Sequence, residues 1–357
     1  MKLFTCTNCN YPVYFENTFC IHCNASLGFD AATLRTVALT VENDGLFSIT
    51  GKKKKIFYKY CSNYQYSVCN WLVPAHGASG FCKACSLNRT IPDLGNPEYV
   101  NRWLAIEMAK HRLVYQLLRM KLPVISKLQD EQTGLVFDFK ASEPGDDNER
   151  IMTGHDNGVI TINIDEADDI EREMARKQMD EVYRTLLGHF RHEIGHYYWD
   201  RLVSNTPNLE KCRNIFGDDT VDYAEALKKH YNEGAPPNWN ENYISMYATT
   251  HPWEDWAETW AHYMHIIDTL ETAYSFGLSV KPLAPASQQL NADIKKDPYA
   301  TRDFETIFQM WIPLTFAMNS LNRSMGLKDS YPFVISEPVK QKMKFIHEVV
   351  VNAAGKV

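Results

Sequence analysis

Apolar residues recur every three or four positions along several stretches of the chain. This spacing places them on one face of a helix. The predicted helices cover residues 99–122, 181–202, 220–231, 250–274, 304–321 and 336–350. Pro123 follows the first stretch and Gly277 follows the fourth, as expected where helices end. We therefore expect the later part of the chain to be mainly helical.

Other segments alternate apolar residues with small or polar ones, which is the pattern of half-buried strands. It predicts short strands at residues 37–41, 46–49 and 55–60, and one more at residues 158–164. Prolines cluster between the last of the early strands and the first helix, with Pro92 and Pro97 inside the stretch 88–97. A boundary between two domains is therefore expected at that stretch.

Four of the nine cysteines form two closely spaced pairs near the N-terminus. Cys6 pairs with Cys9 and Cys20 with Cys23, and ten residues separate the two Cys-x-x-Cys pairs. Four thiolates at this spacing predict a structural zinc site of the zinc-ribbon type, in a segment too small to build much of a core. A disulfide pair is the alternative.

A second structural zinc site is predicted from four further cysteines, Cys61, Cys69, Cys82 and Cys85. Only the last two have Cys-x-x-Cys spacing, so there are two alternatives to a zinc site with four cysteine ligands. His76 could replace one cysteine as a ligand, or two of the cysteines could be buried free thiols beside a single pair. The ninth cysteine, Cys212, is expected to be an ordinary thiol.

The predicted helix over residues 181–202 contains the sequence His192-Glu193-Ile194-Gly195-His196. His192 and His196 lie four residues apart on one helix face, where both can bind one zinc ion. Glu193 is then placed to act as a general base on a water molecule at the open position of that zinc. Gly195 costs the helix roughly 1 kcal/mol relative to alanine, which indicates close packing or function. A chance motif, or histidines with a purely structural role, is the alternative.

A third zinc ligand is expected from the predicted helix over residues 250–274. Trp199 and Leu202 stand where the extended metzincin motif has glycine and histidine, which excludes that motif. Glu254 and Glu258 are four residues apart at the start of the helix, so one can bind zinc while the other holds a ligand histidine. An acidic first turn that only stabilises the helix is the alternative.

The two motifs together resemble those of the gluzincin metallopeptidases, and the second resembles that of the anthrax lethal factor group. The resemblance implies that Glu254 is the third zinc ligand and that Glu258 supports a ligand. It also implies that Tyr247, seven residues before Glu254, helps to stabilise the oxyanion. His251, just before the predicted helix that carries Glu254, is a second candidate to donate a hydrogen bond to the oxyanion. The whole chain is similar to bacterial proteins grouped as zinc-binding metallopeptidases with an N-terminal zinc ribbon.

We therefore expect an α+β protein, with a zinc-ribbon region at residues 1–95 and a mainly helical, zincin-like metallopeptidase domain at residues 96–357. The expected function is hydrolysis of peptide bonds with one catalytic zinc ion and one or two structural ones. The strand at 158–164 is expected to be a sheet edge that hydrogen-bonds the substrate backbone, with an ordinary sheet strand as the alternative. The alternative function is a zinc-ribbon module that binds nucleic acid or a protein partner, joined to an inactive or non-peptidase hydrolase domain.

The net charge of −7 over 357 residues disfavours broad binding to nucleic acid. The lysines at 52–55, followed by aromatic residues, are a local exception that could bind nucleic acid, although a solvated hairpin tip is the expected structure. The paired cysteines, the lack of an apolar run of about 18 residues and the lack of a signal peptide predict a cytoplasmic protein. Its expected partner is a peptide or protein substrate, with no membrane involved.

Overall fold

The computed structural model describes residues 2–53, 55–142, 151–168, 185–283 and 289–355. These residues form two compact units. The first unit contains residues 3–119 and the described part of 123–172, and the second contains Lys2, residues 120–122 and the described part of 173–357. Sheets and cysteine clusters come first and helices follow, so the expected α+β class is confirmed. The division into domains at residues 95 and 96 stays a prediction.

The N-terminal part of the first unit is built from short antiparallel strands. They are β1 (Phe4–Thr5), β2 (Pro12–Val13), β3 (Ser26–Asp30), β4 (Arg35–Val41), β5 (Phe47–Ile49), β6 (Phe57–Tyr60) and β7 (Leu72–Pro74). The last five form one sheet in chain order, and the three predicted strands are β4, β5 and β6. Exposed lysines connect β5 to β6, and Lys55 forms an ion pair of 2.8 Å with Glu42. This part of the lysine run is therefore a hairpin tip, while Lys54 lies outside the described residues.

A second sheet has four strands in the order β10-β11-β9-β8. They are β8 (Asn88–Thr90), β9 (Val136–Lys140), β10 (Gly154–Asp156) and β11 (Val159–Asn163). The strand predicted at residues 158–164 is β11, but its assignment to a sheet edge is wrong. It pairs with β9 on one side, and β10 folds back along the other side through the turn at Asn157 and Gly158.

One helix, α1 (Pro97–Arg119), belongs to the first unit. The second unit contains α2 (Leu186–Leu202), α3 (Asn208–Phe216), α4 (Tyr223–Glu233), α5 (Pro252–Ser275), α6 (Phe304–Ser324) and α7 (Glu337–Ala354), with a small hairpin of β12 (Ser279–Val280) and β13 (Ala292–Asp293). All but α3 were predicted. The predicted start of α2 at residues 181–184 lies outside the described residues. Across the described ranges, no helix is both long and apolar enough to cross a bilayer.

Helices α2 and α5 approach each other closely at Gly195. A Cβ atom on Gly195 would lie 3.1 Å from Cα of Ala257 and 3.2 Å from the side chain of Trp260, which is tighter than ordinary contact. The indole nitrogen of Trp256 donates a hydrogen bond of 2.9 Å to the carbonyl oxygen of Gly195. Close packing therefore explains the glycine inside α2, and it brings the two sequence motifs face to face.

Candidate metal centres

The first candidate centre, the His–Glu cluster, consists of His192, His196 and Glu254. The Nε2 atoms of the two histidines lie 3.1 Å apart. Oε2 of Glu254 lies 3.0 Å from Nε2 of His192 and 3.4 Å from Nε2 of His196. The two helices thus direct one atom from each of three side chains at a common point.

The spacing of these three atoms fits a zinc ion. Nitrogen and oxygen ligands bind zinc at about 2.0–2.2 Å, so tetrahedral ligands lie about 3.4 Å from one another. The observed separations of 3.0–3.4 Å are close to that value. Oε2 of Glu254 is buried and makes no well-aligned hydrogen bond to the described residues, as expected of an atom that binds a cation.

The electrostatics of the His–Glu cluster also favour a cation. Burial acts to lower the pKa of His192, but the nearby carboxylates of Glu254 and Glu258 outweigh burial and raise that pKa well above its usual value. Burial acts to raise the pKa of Glu254, but His196 and His192 outweigh it and hold that pKa well below its usual range. The carboxylates therefore stabilise positive charge between them, which a metal ion supplies more fully than a proton.

Glu258 holds the far side of the His192 ring. Its Oε1 lies 2.7 Å from Nδ1 of His192, and its Oε2 accepts a hydrogen bond of 2.6 Å from Ser245. Because a carboxylate only accepts hydrogen bonds, Nδ1 carries a proton, which leaves Nε2 as the nitrogen of His192 that can bind a metal ion. Burial acts to raise the pKa of Glu258, but the hydrogen bond to His192 outweighs burial and lowers that pKa to about 2.

Tyr223 and Tyr247 lie on the Glu254 side of the cluster. The hydroxyl of Tyr223 donates a hydrogen bond of 2.7 Å to Oε1 of Glu254, and Tyr247 in turn hydrogen-bonds Tyr223. The ring centre of Tyr247 lies 6.0 Å from that of His192. Burial, followed by the charge of Glu254, raises the pKa of both tyrosines, so both remain protonated hydrogen-bond donors.

The remaining predicted residues of this centre are Glu193 and His251. Glu193 is buried on α2, and its carboxylate forms no hydrogen bond with the described residues. His251 caps α5, because its Nδ1 accepts a hydrogen bond of 3.0 Å from the backbone of Trp253 and its Nε2 donates one of 3.0 Å to the carbonyl of Val221. Both ring nitrogens of His251 are thus used to hold the start of the helix that carries Glu254.

The first cysteine site is formed by Cys6, Cys9, Cys20 and Cys23. Sγ of Cys6 lies 3.8 Å from that of Cys23, and Sγ of Cys9 lies 3.7 Å from that of Cys20. Tetrahedral zinc with Zn–S bonds of about 2.3 Å requires sulfurs about 3.8 Å apart. A disulfide would require about 2.05 Å. The spacing fits a zinc ion and excludes disulfides.

The second cysteine site is formed by Cys61, Cys69, Cys82 and Cys85, all of them buried. Sγ of Cys69 lies 3.7 Å from that of Cys82, which again fits tetrahedral zinc. The four cysteines therefore lie together, while His76 is exposed in a turn outside the cluster. Cys212 is buried in α3, and burial raises its pKa to about 12, as expected of an unreactive thiol.

Comparison with known families supports a metal-binding role for these centres. A family model described as "Putative zinc-binding metallo-peptidase" matches residues 99–349. The chain belongs to this family. A second model, described as a zinc-ribbon domain, matches residues 3–96, the part that contains both cysteine sites. The zinc-binding metallo-peptidase match includes the whole His–Glu cluster.

Relatives of this family member match it over nearly their full length. Proteins of Mycobacterium bovis (strain ATCC BAA-935 / AF2122/97) and of Mycobacterium tuberculosis (strains CDC 1551 / Oshkosh and ATCC 25618 / H37Rv) are each 41% identical to the chain over 355 residues. The aligned regions cover 99% of this chain and 96% of each relative, and each relative is described as uncharacterized. No solved structure matches the chain.

Two residues of this metallo-peptidase family member that contact the candidate centre were not found by sequence reasoning. Tyr223 and Ser245 lie in the connection between α2 and α5. They hydrogen-bond Glu254 and Glu258, so the connection forms part of the site. Tyr247 was found from its position before Glu254, but Tyr223, 24 residues earlier, has no motif spacing that would have revealed it.

Proposed function

We propose that the chain is a zinc-dependent peptidase of the gluzincin type, which hydrolyses peptide bonds in a peptide or protein substrate. The observation that carries the proposal is the meeting of His192, His196 and Glu254 at spacings that fit one zinc ion. Glu193 follows His192 in the chain. Membership of a zinc-binding metallo-peptidase family supports the same conclusion.

In this proposal His192, His196 and Glu254 hold the zinc ion. When bound, zinc supplies a Lewis acid that polarises the substrate carbonyl and lowers the pKa of water. Glu193 takes the proton of the attacking water as a general base and returns it to the leaving amine as a general acid. Its carboxylate is available for this task, because it forms no hydrogen bond with the described residues.

The tyrosines provide donors for the negative charge that develops on the carbonyl oxygen. Tyr247 lies beside the His192 ring and remains protonated, so its hydroxyl can turn from Tyr223 to the substrate oxygen. Glu258 keeps His192 in the tautomer that binds metal, a role that such partners commonly fill. The two cysteine sites hold structural zinc ions, which brings the proposed total to three per chain.

The test is a peptide-library screen on zinc-loaded protein, comparing wild type with Glu193→Gln. Glutamine has nearly the shape of glutamate but cannot take a proton at neutral pH, so the variant should keep its zinc and lose at least about 100-fold in turnover. Glu210→Gln, on α3, is the matched control and should cleave like wild type. Equal cleavage by wild type and Glu193→Gln would overturn the proposed mechanism.

A further inference from the structure

The second cysteine site faces charged side chains that are themselves buried. Glu107, Lys110 and His111 lie on one face of α1 and are 0%, 0% and 4% exposed. Glutamate and lysine are almost never this buried unless they are paired. Sγ of Cys85 lies 3.5 Å from Nε2 of His111 and 3.8 Å from Oε2 of Glu107. The charged face of α1 is thus in direct contact with a candidate zinc ligand.

Hydrogen bonds hold this charged group in one arrangement. Oε1 of Glu107 accepts from Lys110 at 2.8 Å, from Asn88 at 2.6 Å and from the indole of Trp103 at 3.2 Å. Nζ of Lys110 also donates to the side-chain oxygen of Asn88. Nδ1 of His111 donates to the carbonyl oxygen of Glu107 at 2.5 Å, because a carbonyl only accepts. Nε2 is thereby directed at Cys85, and it donates to a thiolate there when the ring is an imidazolium with a proton on both nitrogens.

His111 lies beside the candidate zinc site and outside the group of four sulfurs that would hold the ion. Nε2 of His111 is near the sulfur of Cys85, and together with Glu107 these two residues form a separate group. The four sulfurs of the second cysteine site form their own group, which does not include His111. Four thiolates already complete the tetrahedral shell of a structural zinc ion.

Net charge explains why a buried lysine belongs here. Four thiolates and one Zn²⁺ ion carry a net charge of −2, and burial of such charge is costly unless it is compensated. Glu107 adds one more negative charge, and Lys110 is the buried positive charge next to it. The first cysteine site does not require a buried positive charge, because Cys9 and Cys23 are partly exposed and water can solvate the negative charge there.

We propose that Lys110 and His111 are positioning residues of the second zinc site, with Lys110 compensating its negative charge and His111 orienting the sulfur of Cys85. Helix α1 and the four cysteines then hold zinc as one structure. The second zinc site therefore includes side chains of α1, and it is not a zinc ribbon that is independent of that helix. This inference rests on zinc binding by the cysteines and is independent of the proposed peptidase activity.

The test measures zinc release from the full chain into excess of a coloured chelator. The double change His192→Ala plus His196→Ala is used as background, so that the released zinc comes only from the two cysteine sites. We expect two release phases in this background. Lys110→Met and His111→Leu should each accelerate one phase by at least about 10-fold, the scale seen when partners of metal ligands are removed, and leave the other phase unchanged.

Two matched changes separate a specific role from general damage. Lys83→Met removes an exposed lysine between Cys82 and Cys85, where water screens the charge, and should alter both phases less than twofold. His111→Gln retains a side-chain donor and should release zinc more slowly than His111→Leu. Release from His111→Gln at the rate of His111→Leu would contradict the orienting role.

The sign of the charge effect gives the sharpest test. Adding Glu107→Gln to Lys110→Met removes one negative charge along with the positive one, so the double variant should release zinc more slowly than Lys110→Met alone. If Lys110 only fills space, a second disruption would leave release as fast or faster, and that result would overturn the proposal. The proposal would also be overturned if Lys110→Met and His111→Leu both released zinc at the rate of the background protein. It would be overturned as well if the background protein contained no zinc.

Discussion

The hydroxyl of Tyr223 donates a hydrogen bond of 2.7 Å to Oε1 of Glu254. This bond occupies one carboxylate oxygen and leaves the other, Oε2, 3.0 Å from Nε2 of His192. Tyr223 begins α4, in the connection between the two motif helices. A residue outside both motifs thus decides which oxygen of Glu254 faces the histidines.

We predict that Tyr223→Phe weakens zinc binding at the His–Glu cluster about 10-fold, because loss of the hydrogen bond frees the Glu254 carboxylate to rotate. Competition with a chelator of known affinity measures the change. Tyr231→Phe is the matched control on the same helix, since Tyr231 is exposed and should have no effect. Equal zinc affinity in Tyr223→Phe and wild type would show that Tyr223 does not position the ligand.

Glu258→Gln should also weaken zinc binding by about 10-fold, for a different reason. The carboxylate fixes the proton on Nδ1 of His192, whereas an amide can present either a donor or an acceptor to that ring. The same competition assay applies, with Glu225→Gln on the exposed side of α4 as control. Unchanged affinity in Glu258→Gln would argue against a supporting role for Glu258.

Gly195→Ala should lower the free energy of unfolding by about 1 kcal/mol, even though alanine favours a helix by roughly that amount. The added methyl group would press on Cα of Ala257 and on Trp260, so α2 and α5 must separate. Urea unfolding measures the difference. Gly154→Ala is the control, since its added methyl group would have no heavy atom within 4 Å apart from those of Gly154 and its two chain neighbours. A Gly195→Ala protein as stable as wild type would mean that the two helices are not in close contact.

His262 should make the protein less stable as the pH falls from 7 to 5. Burial lowers the pKa of His262 to about 4, despite the charge of Glu258, and Nδ1 of its ring lies 2.8 Å from the hydroxyl of Tyr331. Below pH 6.5 the unfolded chain takes up a proton that the folded chain refuses, so stability is lost progressively towards pH 4. The loss between pH 7 and pH 5 is about 2 kcal/mol.

Urea unfolding of His262→Gln at both pH values isolates this contribution, because the variant should lose about 2 kcal/mol less than wild type. Glu258 does not confound the comparison, since its pKa of about 2 keeps it ionised over this range. His76→Gln, at an exposed histidine, should retain the pH dependence of wild type. The same loss in His262→Gln and wild type would assign the effect to other groups.

Local periodicity accounts for what the sequence predicted correctly. Residues four apart on a helix must share a face, so the pairing of His192 with His196 was fixed before any tertiary contact was known. The spacing of Cys6 and Cys9 within one tight turn is equally local. These constraints involve only a few neighbouring residues and do not depend on how the chain folds around them.

The features that were missed depend on contacts between distant residues. β11 was assigned to a sheet edge because nothing in its own sequence indicates that β10 covers it. Tyr223 hydrogen-bonds Glu254, which lies 31 residues later in the chain. Glu107 and His111 are buried, although charged side chains on a helix are normally expected in solvent. In the fold, both side chains lie against Cys85 of the second cysteine site.

The central claim is that the His–Glu cluster binds a zinc ion separate from those of the cysteine sites. The most direct measurement is zinc per chain by elemental mass spectrometry, on protein made without added metal, for wild type and for His192→Ala plus His196→Ala. The account predicts three zinc ions in wild type and two in the double variant. An unchanged count would contradict it, and would favour the alternative in which the zinc-ribbon region is a binding module.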